Sequence, residues 1–403
     1  MSGPQRVLVH VGAPKTGTSF VQDLLFQNRE ALERSGVLYP AARFDAHFLA
    51  ALDLMELPWG GLEKQAVGAW DRLAEQVRGF DGTVIISHEI LAKATPQQVR
   101  RALGSFGETE VHIVLSVRDL VRQIPAEWQE NVKHRRVLPY AEFLEKITAP
   151  ERSGELASWF WGVQEVPDIL ARWGADVPPE RVHVVTVPKP GAPKDLLWRR
   201  FAQVFGLDAD AFELESERAN ASMGVPETAL VRRLNEQVNN GVLANDDYRQ
   251  FVRELLAHQT LSKRSSSPRL ALPDAVRRWA VDLSQSWIDV LGERGYDVVG
   301  DLEDLRPDAH AAVFVDPDAP DEEQVAEASM TALVTLLQEA ARLQAEVNSM
   351  RRERDAAVRE LDDAHTAWFK AKQRLVREAE DNRAAAAGLA VYRRVRGKSS
   401  RSA

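Results

Sequence analysis

Between Gly12 and Ser19 the chain reads GAPKTGTS, a glycine-framed turn holding one lysine, Lys15, and the hydroxyl side chains of Thr16, Thr18 and Ser19. The apolar run VLVHV precedes it, and TSFVQDLL, the opening of a helix pattern, follows it. A turn that passes from a strand into a helix N-terminus presents successive backbone N–H groups and the positive end of the helix dipole, which together cradle an anion. Gly12 and Gly17 let the main chain approach such a ligand closely. The triphosphate form of this device is G-x-x-x-x-G-K-[ST], in which the lysine follows the second glycine and the hydroxyl holds a metal. Here the glycine spacing and the Ser19 hydroxyl are kept, but Thr18 fills the lysine position and Lys15 lies inside the turn. A lysine placed early in the turn can bend over the ligand and meet the bridging oxygen of a short diphosphate-like group.

Two other stretches place reactive side chains at the ends of apolar runs. VHIVLSVRDL ends on Arg118, and TVIISHEILAK on Ser87, His88 and Glu89. A guanidinium offers a planar fork to an anion. His88 and Glu89 both have the chemistry of a general base. Neighbouring side chains on an extended chain point to opposite sides, so one of the two faces a substrate. HEILA is not a zinc-protease signature, since Ala92 stands where the second histidine would be.

PKTGTS, together with RDLVRQIPAEWQE, VPPERVHVVTVP and GYDVVGDLEDL, resembles the sulfotransferases that use 3′-phosphoadenosine 5′-phosphosulfate (PAPS), over Val7 to about Leu305. The resemblance implies transfer of the sulfuryl group of PAPS, with no metal, to a hydroxyl or amine of a small-molecule or carbohydrate acceptor. It implies that Lys15 stabilises the leaving group, that Thr16, Gly17, Thr18 and Ser19 bind the 5′ phosphate, and that Arg118 pairs with the 3′ phosphate. Glu89 is the first choice of base and His88 the second, because strand–Ser–x–Glu is closer to the glutamate branch of that superfamily. The family usually adds a serine eight residues after the arginine, and this chain has Ala126 there. The basic, serine-rich stretch Ser262–Arg269 is a candidate substitute, and Asn220 and Ser222 are candidate cofactor contacts. His47 is a weaker candidate near the acceptor, and Trp159, Phe160 and Trp161 are expected in the core.

Strand-like runs at Val7–Val11, Val37–Tyr39, Thr83–Ser87, Val111–Val117 and Val182–Val187 alternate with amphipathic segments at Ser19–Ser35, Leu62–Gly79, Pro96–Ser105, Leu120–His134 and Ser158–Trp173. The runs are apolar on both faces, as in parallel strands covered by helices on either side. The pattern predicts an α/β fold, a P-loop-like doubly wound parallel sheet with flanking helices, whose ligands sit beyond the carboxyl ends of the strands. This domain is expected over residues 1–305, with a proline- and acid-rich linker at 306–323. Residues 324–385 are expected to form a C-terminal coiled-coil helix, and 386–403 a basic tail. From Leu333 the seam alternates through Leu336, Ala340, Leu343, Val347 and Met350 and on to Leu375, apolar at every position but Arg354. Such a seam predicts a homo-oligomer.

The net charge of −9 argues against a nucleic-acid partner, and the lack of cysteine excludes disulfides, thiolate metal sites and thiol nucleophiles. With no transmembrane run and no signal-like start, a cytoplasmic protein is expected. Two alternatives are a sulfotransferase-like scaffold without catalysis that acts through its coiled coil, for which Ala126 speaks, and a P-loop small-molecule kinase. Thr18 in the lysine position and the lack of an evident metal-binding acid after an apolar strand speak against the kinase.

Overall fold

A computed structural model of the chain describes residues 6–212, 214, 222–264, 266–307, 312–381, 385–388, 390–392 and 394. The chain forms two compact units, Met1–Ala332 and Leu333–Ala403. In the first, six parallel strands, β1 (Arg6–Gly12), β2 (Val37–Leu38), β3 (Thr83–Ser87), β4 (Glu110–Val117), β5 (Val182–Thr186) and β6 (Asp297–Val299), lie in the order β2-β3-β1-β4-β5-β6. Chain order reverses at β1, whose neighbours are β3 and β4. A crevice opens beyond the strand ends at such a reversal, and the GAPKTGTS turn leaves β1 there.

The strand residues alternate between two cores. Val7, Val9 and Val11 pack on one face with Trp70, Leu91, Leu120, Trp128 and Trp173. Leu8, Ile85, Val114 and Val185 pack on the other with Leu24, Leu25, Trp198, Phe201 and Phe205. Both faces are therefore covered, which accounts for uninterrupted apolar runs instead of a polar alternation. His10 is the polar exception on the second face and is fully buried.

Three of the expected helices are each two. Asn28 donates from its side-chain amide to Leu24 O at 2.9 Å and separates Thr18–Gln27 from Arg29–Arg34; a side chain that competes for helix carbonyls ends a helix. Gly68, at φ +73°, separates Glu63–Ala66 from Ala69–Gly79. Gly154–Gln164 stops ahead of Pro167, whose ring cannot continue the preceding turn, and Val166–Trp173 starts anew. The short edge strand β6 was not foreseen; three residues with one fully buried side chain carry no periodic signal.

The Glu322–Asp381 helix starts within the first unit, where Val325, Ala328 and Ala332 are buried. Arg233 pairs with Glu322 at 2.6 Å, and Arg264 donates to Thr331 at 2.9 Å. Ahead of this helix, Asp318 accepts from the backbone N–H groups of Tyr140 and Ala141, each at 2.9 Å, so that part of the proline-rich segment is tied to the first unit. In the second unit the helix residues Leu336, Met350, Leu361, Trp368 and Leu375 are exposed in the single chain. Among the described residues no helix is long and apolar enough to cross a membrane.

A chain cut after Ala332 is expected to unfold at the same urea concentration as the first unit of the full chain. A cut after Asp321 removes three buried side chains and should lose on the order of 2 kcal/mol or more, read from the shift in the midpoint.

Candidate functional site

The turn after β1 has no ladder of its own, and side chains from the flanking strands hold it from beneath. His10 hydrogen-bonds Ser87 Oγ of β3 through Nδ1 at 2.8 Å and Ser116 Oγ of β4 through Nε2 at 3.1 Å. Ser116 Oγ donates to Gly12 O at 2.9 Å and lies 2.5 Å from Thr16 Oγ1, which in turn donates to Ala13 O at 2.6 Å. Burial lowers the His10 pKa to about 4, so the ring is neutral and offers one donor and one acceptor to the two serines. Thr16 thus spends its hydroxyl on the turn itself.

Gly12 and Gly17 meet separate demands. A Cβ on Gly12, at φ +145°, would lie 3.0 Å from Glu89 O and 3.1 Å from the Ala92 side chain. The first loop therefore packs directly against the segment that follows β3. Gly17, at φ +90°, precedes the Thr18–Gln27 helix, and a Cβ there would come within 2.6 Å of Leu197. The first helical backbone bond is Val21 N to Gly17 O at 3.2 Å, so the N–H groups of Thr18, Ser19 and Phe20 are not consumed within the helix. Thr18 is buried and Ser19 partly buried in this first turn.

Lys15 has φ +64°, a left-handed conformation that costs a non-glycine residue roughly 1 kcal/mol or more. Its neighbours hold it there. Arg118 Nη1 donates to Lys15 O at 3.1 Å, and the Gln123 and Gln164 amides both donate to Pro14 O. The Lys15 ammonium lies 2.6 Å from Glu130 Oε2, and Glu130 also meets His134 at 3.2 Å and Arg253 at 3.3 Å. Burial opposes ionisation of Glu130, but Lys15 and His134 outweigh it and hold its pKa well below the ordinary value.

Arg118 stands at the end of β4, immediately before the Leu120–Lys133 helix, which Asp119 caps by accepting from Arg122 N at 3.0 Å. Its Nε is buried without a partner among the described residues, and burial, with Arg122 nearby, lowers its pKa only to about 10, so it stays charged. A cavity of about 210 Å³ is lined by Lys15, Thr16 and Gly17 of the turn, by Arg118, by Ala126, Gln129 and Lys133 of the helix, and by Ser222.

His88 and Glu89 sit at the carboxyl end of β3. His88 accepts from Ile90 N at 3.4 Å and stacks on Phe48, with ring centroids 5.0 Å apart. Phe48 continues to Trp59 at 5.5 Å and Trp59 to Trp159 at 5.9 Å, an aromatic surface beside the strand end. Burial lowers the His88 pKa. Glu89 accepts from Gln22 Nε2 at 3.1 Å. Burial works against its charge, yet His88, its own backbone N–H, Gln22 and Lys15 hold its pKa below the ordinary value.

Lys15, Glu89, His88 and Arg118 therefore converge on the ends of the adjacent strands β3, β1 and β4. Gln22, Gln123, Gln164, Glu127 and Glu130 were not anticipated. Gln123, Glu127 and Glu130, spaced by four and three, share one helix face, which was a readable sign of a polar stripe; their partners, more than a hundred residues away for Lys15–Glu130, were not readable. His47 is buried and accepts from Ser87 N at 3.2 Å, which makes it part of the scaffold of β3. Phe160 and Trp161 are core residues as expected, while Trp159 is only partly buried. In the basic stretch, Arg264 and Ser267 are both held by the buried Glu227, at 2.7 and 2.5 Å. Ser222 lines the cavity; Asn220 lies outside the described residues. Among the described residues no group of three or more His, Asp or Glu is placed to hold a metal ion.

No protein-family model and no curated protein matches the chain. Among solved structures it is similar to the sulfotransferase from Alicyclobacillus acidocaldarius, at 18% identity and a TM-score of 0.36, over 62% of this chain and 100% of that one. It is also similar to the sulfotransferase domain from the curacin biosynthetic pathway, at 12% identity and a TM-score of 0.30, over 70% of this chain and 99% of that one. These likenesses are distant.

Glu127 yields a pH-dependent prediction. Burial raises its pKa from 4.5 to about 7 although Lys15 opposes the rise, and Gln164 Nε2 donates to it at 3.0 Å. The folded chain holds this proton over a range in which the unfolded chain has lost it. Stability from this group is thus complete below about 4.5 and is lost as pH rises to about 7. Glu127→Gln has no charge to bury. Its stability relative to the parent should rise between pH 4.5 and 7.5 by on the order of 3 kcal/mol in urea unfolding. A difference that is flat with pH would show that the carboxyl ionises freely.

Proposed function

We propose that the chain is a sulfotransferase that takes the sulfuryl group of PAPS and transfers it to a hydroxyl or amine of a small-molecule or carbohydrate acceptor. The observation that carries this reading is the ammonium inside the turn. Lys15 sits ahead of the helix N-terminus, beside a cavity whose cationic lining includes Arg118, and its counterion Glu130 keeps two other partners, His134 and Arg253. The pair can therefore open without stranding the carboxylate. The residues fit an anionic nucleotide, since among the described residues Arg118 has an unused buried donor and the turn leaves backbone N–H groups free at its helix end.

The donor, when bound, supplies an activated sulfuryl group. Thr16, Gly17, Thr18 and Ser19 bind its 5′ phosphate through the turn and helix N-terminus, and Arg118 binds its 3′ phosphate. Lys15 leaves Glu130 for the oxygen on which charge grows as the bond to sulfur breaks, which is stabilisation by charge already in place. Glu89 takes the acceptor proton. Gln22 orients its carboxylate, and Lys15 favours the ionised form that can accept a proton. His88, with Nδ1 turned to Ile90 N and its ring stacked on Phe48, is better suited to shaping the acceptor side.

The exposed seam from Leu336 to Leu375 fits a second copy of the same helix, and the assembly is proposed to be a homo-oligomer. The cut after Ala332 should retain transfer activity and give a smaller particle by light scattering; an unchanged particle size would reject the seam as the contact.

Calorimetry with adenosine 3′,5′-bisphosphate tests the donor site directly, and a lack of binding would overturn the reading. In transfer assays by mass shift over an acceptor panel, Lys15→Ala should lower turnover by about a thousandfold or more. Glu89→Gln should lower turnover by about a hundredfold or more with bisphosphate affinity nearly unchanged. An unaltered rate for Glu89→Gln would move the base to His88.

A further inference from the structure

The cavity beside the turn contains a cation that neither the turn motif nor the Arg118 stretch accounts for. Lys133 is the last residue of the Leu120–Lys133 helix, it lines the cavity, and its side chain is 5% exposed. Ala126, Gln129 and Lys133 are spaced by three and four residues and form one wall. Only one of the three can serve an anion. Ala126 has no polar atom. The Gln129 amide is committed at both ends, donating to Met223 O at 2.9 Å and Thr228 Oγ1 at 3.1 Å and accepting from Met223 N at 3.1 Å. Glu130, the nearest acid on the same helix, is taken by Lys15 at 2.6 Å. Among the described residues no hydrogen bond or contact ion pair engages the Lys133 ammonium.

Helix side chains lean toward the N-terminus, so a lysine at 133 lies back over the turn that carries Gln129 and Ala126. We propose that Lys133 supplies, from the far end of this helix, the anion contact that position 126 lacks, and that Arg118 and Lys133 together form a subsite for a terminal phosphate monoester. This rests on the function proposed above and assigns the part of it that Ala126 leaves open. A monoester dianion has oxygens for both a planar guanidinium and a point-like ammonium. Arg118 contributes a buried Nε that has no partner among the described residues. Burial lowers the Lys133 pKa to about 8, with Lys15 and Arg253 adding to the fall and Glu130 and Glu254 opposing it, and among the described residues no carboxylate is in contact with the ammonium as a counterion. A bound dianion would supply that counterion. The subsite makes the chain selective for nucleotides with a second phosphate over those phosphorylated at the 5′ position alone.

The test is calorimetry on the full chain with adenosine 3′,5′-bisphosphate and, separately, adenosine 5′-phosphate. The parent should prefer the bisphosphate. Lys133→Met should weaken the bisphosphate by about tenfold or more and leave the 5′-phosphate unchanged, so that the preference falls. Its melting temperature without ligand should be equal to or above the parent's, because a desolvated charge is removed. Lys133→Gln repeats the measurement should the methionine variant fail to melt cooperatively. Equal weakening of both nucleotides, or an unchanged preference, overturns the role of Lys133 while the function above stands. A parent that binds both nucleotides equally overturns the subsite alone, and a parent that binds neither overturns the function and the subsite together.

Discussion

A loop that presents its backbone N–H groups to a ligand cannot also use them to hold itself together. In the Gly12–Ser19 turn the backbone carbonyls carry most of the holding bonds. The carbonyls of Gly12, Ala13, Pro14 and Lys15 are bound by Ser116, Thr16, Gln123 with Gln164, and Arg118 in turn. The turn is thus fixed largely through its acceptors, with Ala13 N–H donating to Ser116 O at 2.9 Å, and among the described residues donors at its helix end are left over. His10 makes this possible on the sheet side, since a neutral ring between Ser87 and Ser116 ties β3, β1 and β4 at one level. A charged ring there would have to be buried without a counterion, which its low pKa reflects.

The charges of the site follow from the same geometry. Three carboxylates, Glu89, Glu127 and Glu130, surround one turn lysine, and their surroundings separate them. Glu130 lies against Lys15, Arg253 and His134 and stays ionised, Glu89 has an amide donor and stays ionised, and Glu127 is buried deeply enough to hold its proton to about 7. Such separation gives three like groups near one lysine different charge states. It also leaves Lys15 an ionised partner in Glu130.

Much of the fold was legible because it is written in local periods. Runs such as VLVHV and TVIIS, apolar on both faces, have few outcomes other than covered parallel strands, and five of the six strands follow from them. The errors lay where one residue acts against its period: Asn28 taking a helix carbonyl, Gly68 in a left-handed turn, Pro167 closing a helix, and β6 too short to have a period. The placement of Lys15, Glu89, His88 and Arg118 was legible as well, since each stands just beyond a strand and a parallel sheet brings strand ends together.

The sequence by itself determined the strand–turn–helix at Gly12, the reactive residues at three strand ends, and the apolar seam of the last helix. Each is set by neighbours along the chain. Only the tertiary structure decided what those residues touch. It gave Lys15 to Glu130, Thr16 to Ser116, Gln164 to Glu127 and Arg264 to Glu227, and it left Lys133 in a cavity wall with no close counterion among the described residues. Pairings of this kind join residues from 37 to 115 positions apart, and burial then sets their charge. Neither the partner nor the loss of water leaves a mark on the local pattern, so both become readable only once the chain is closed.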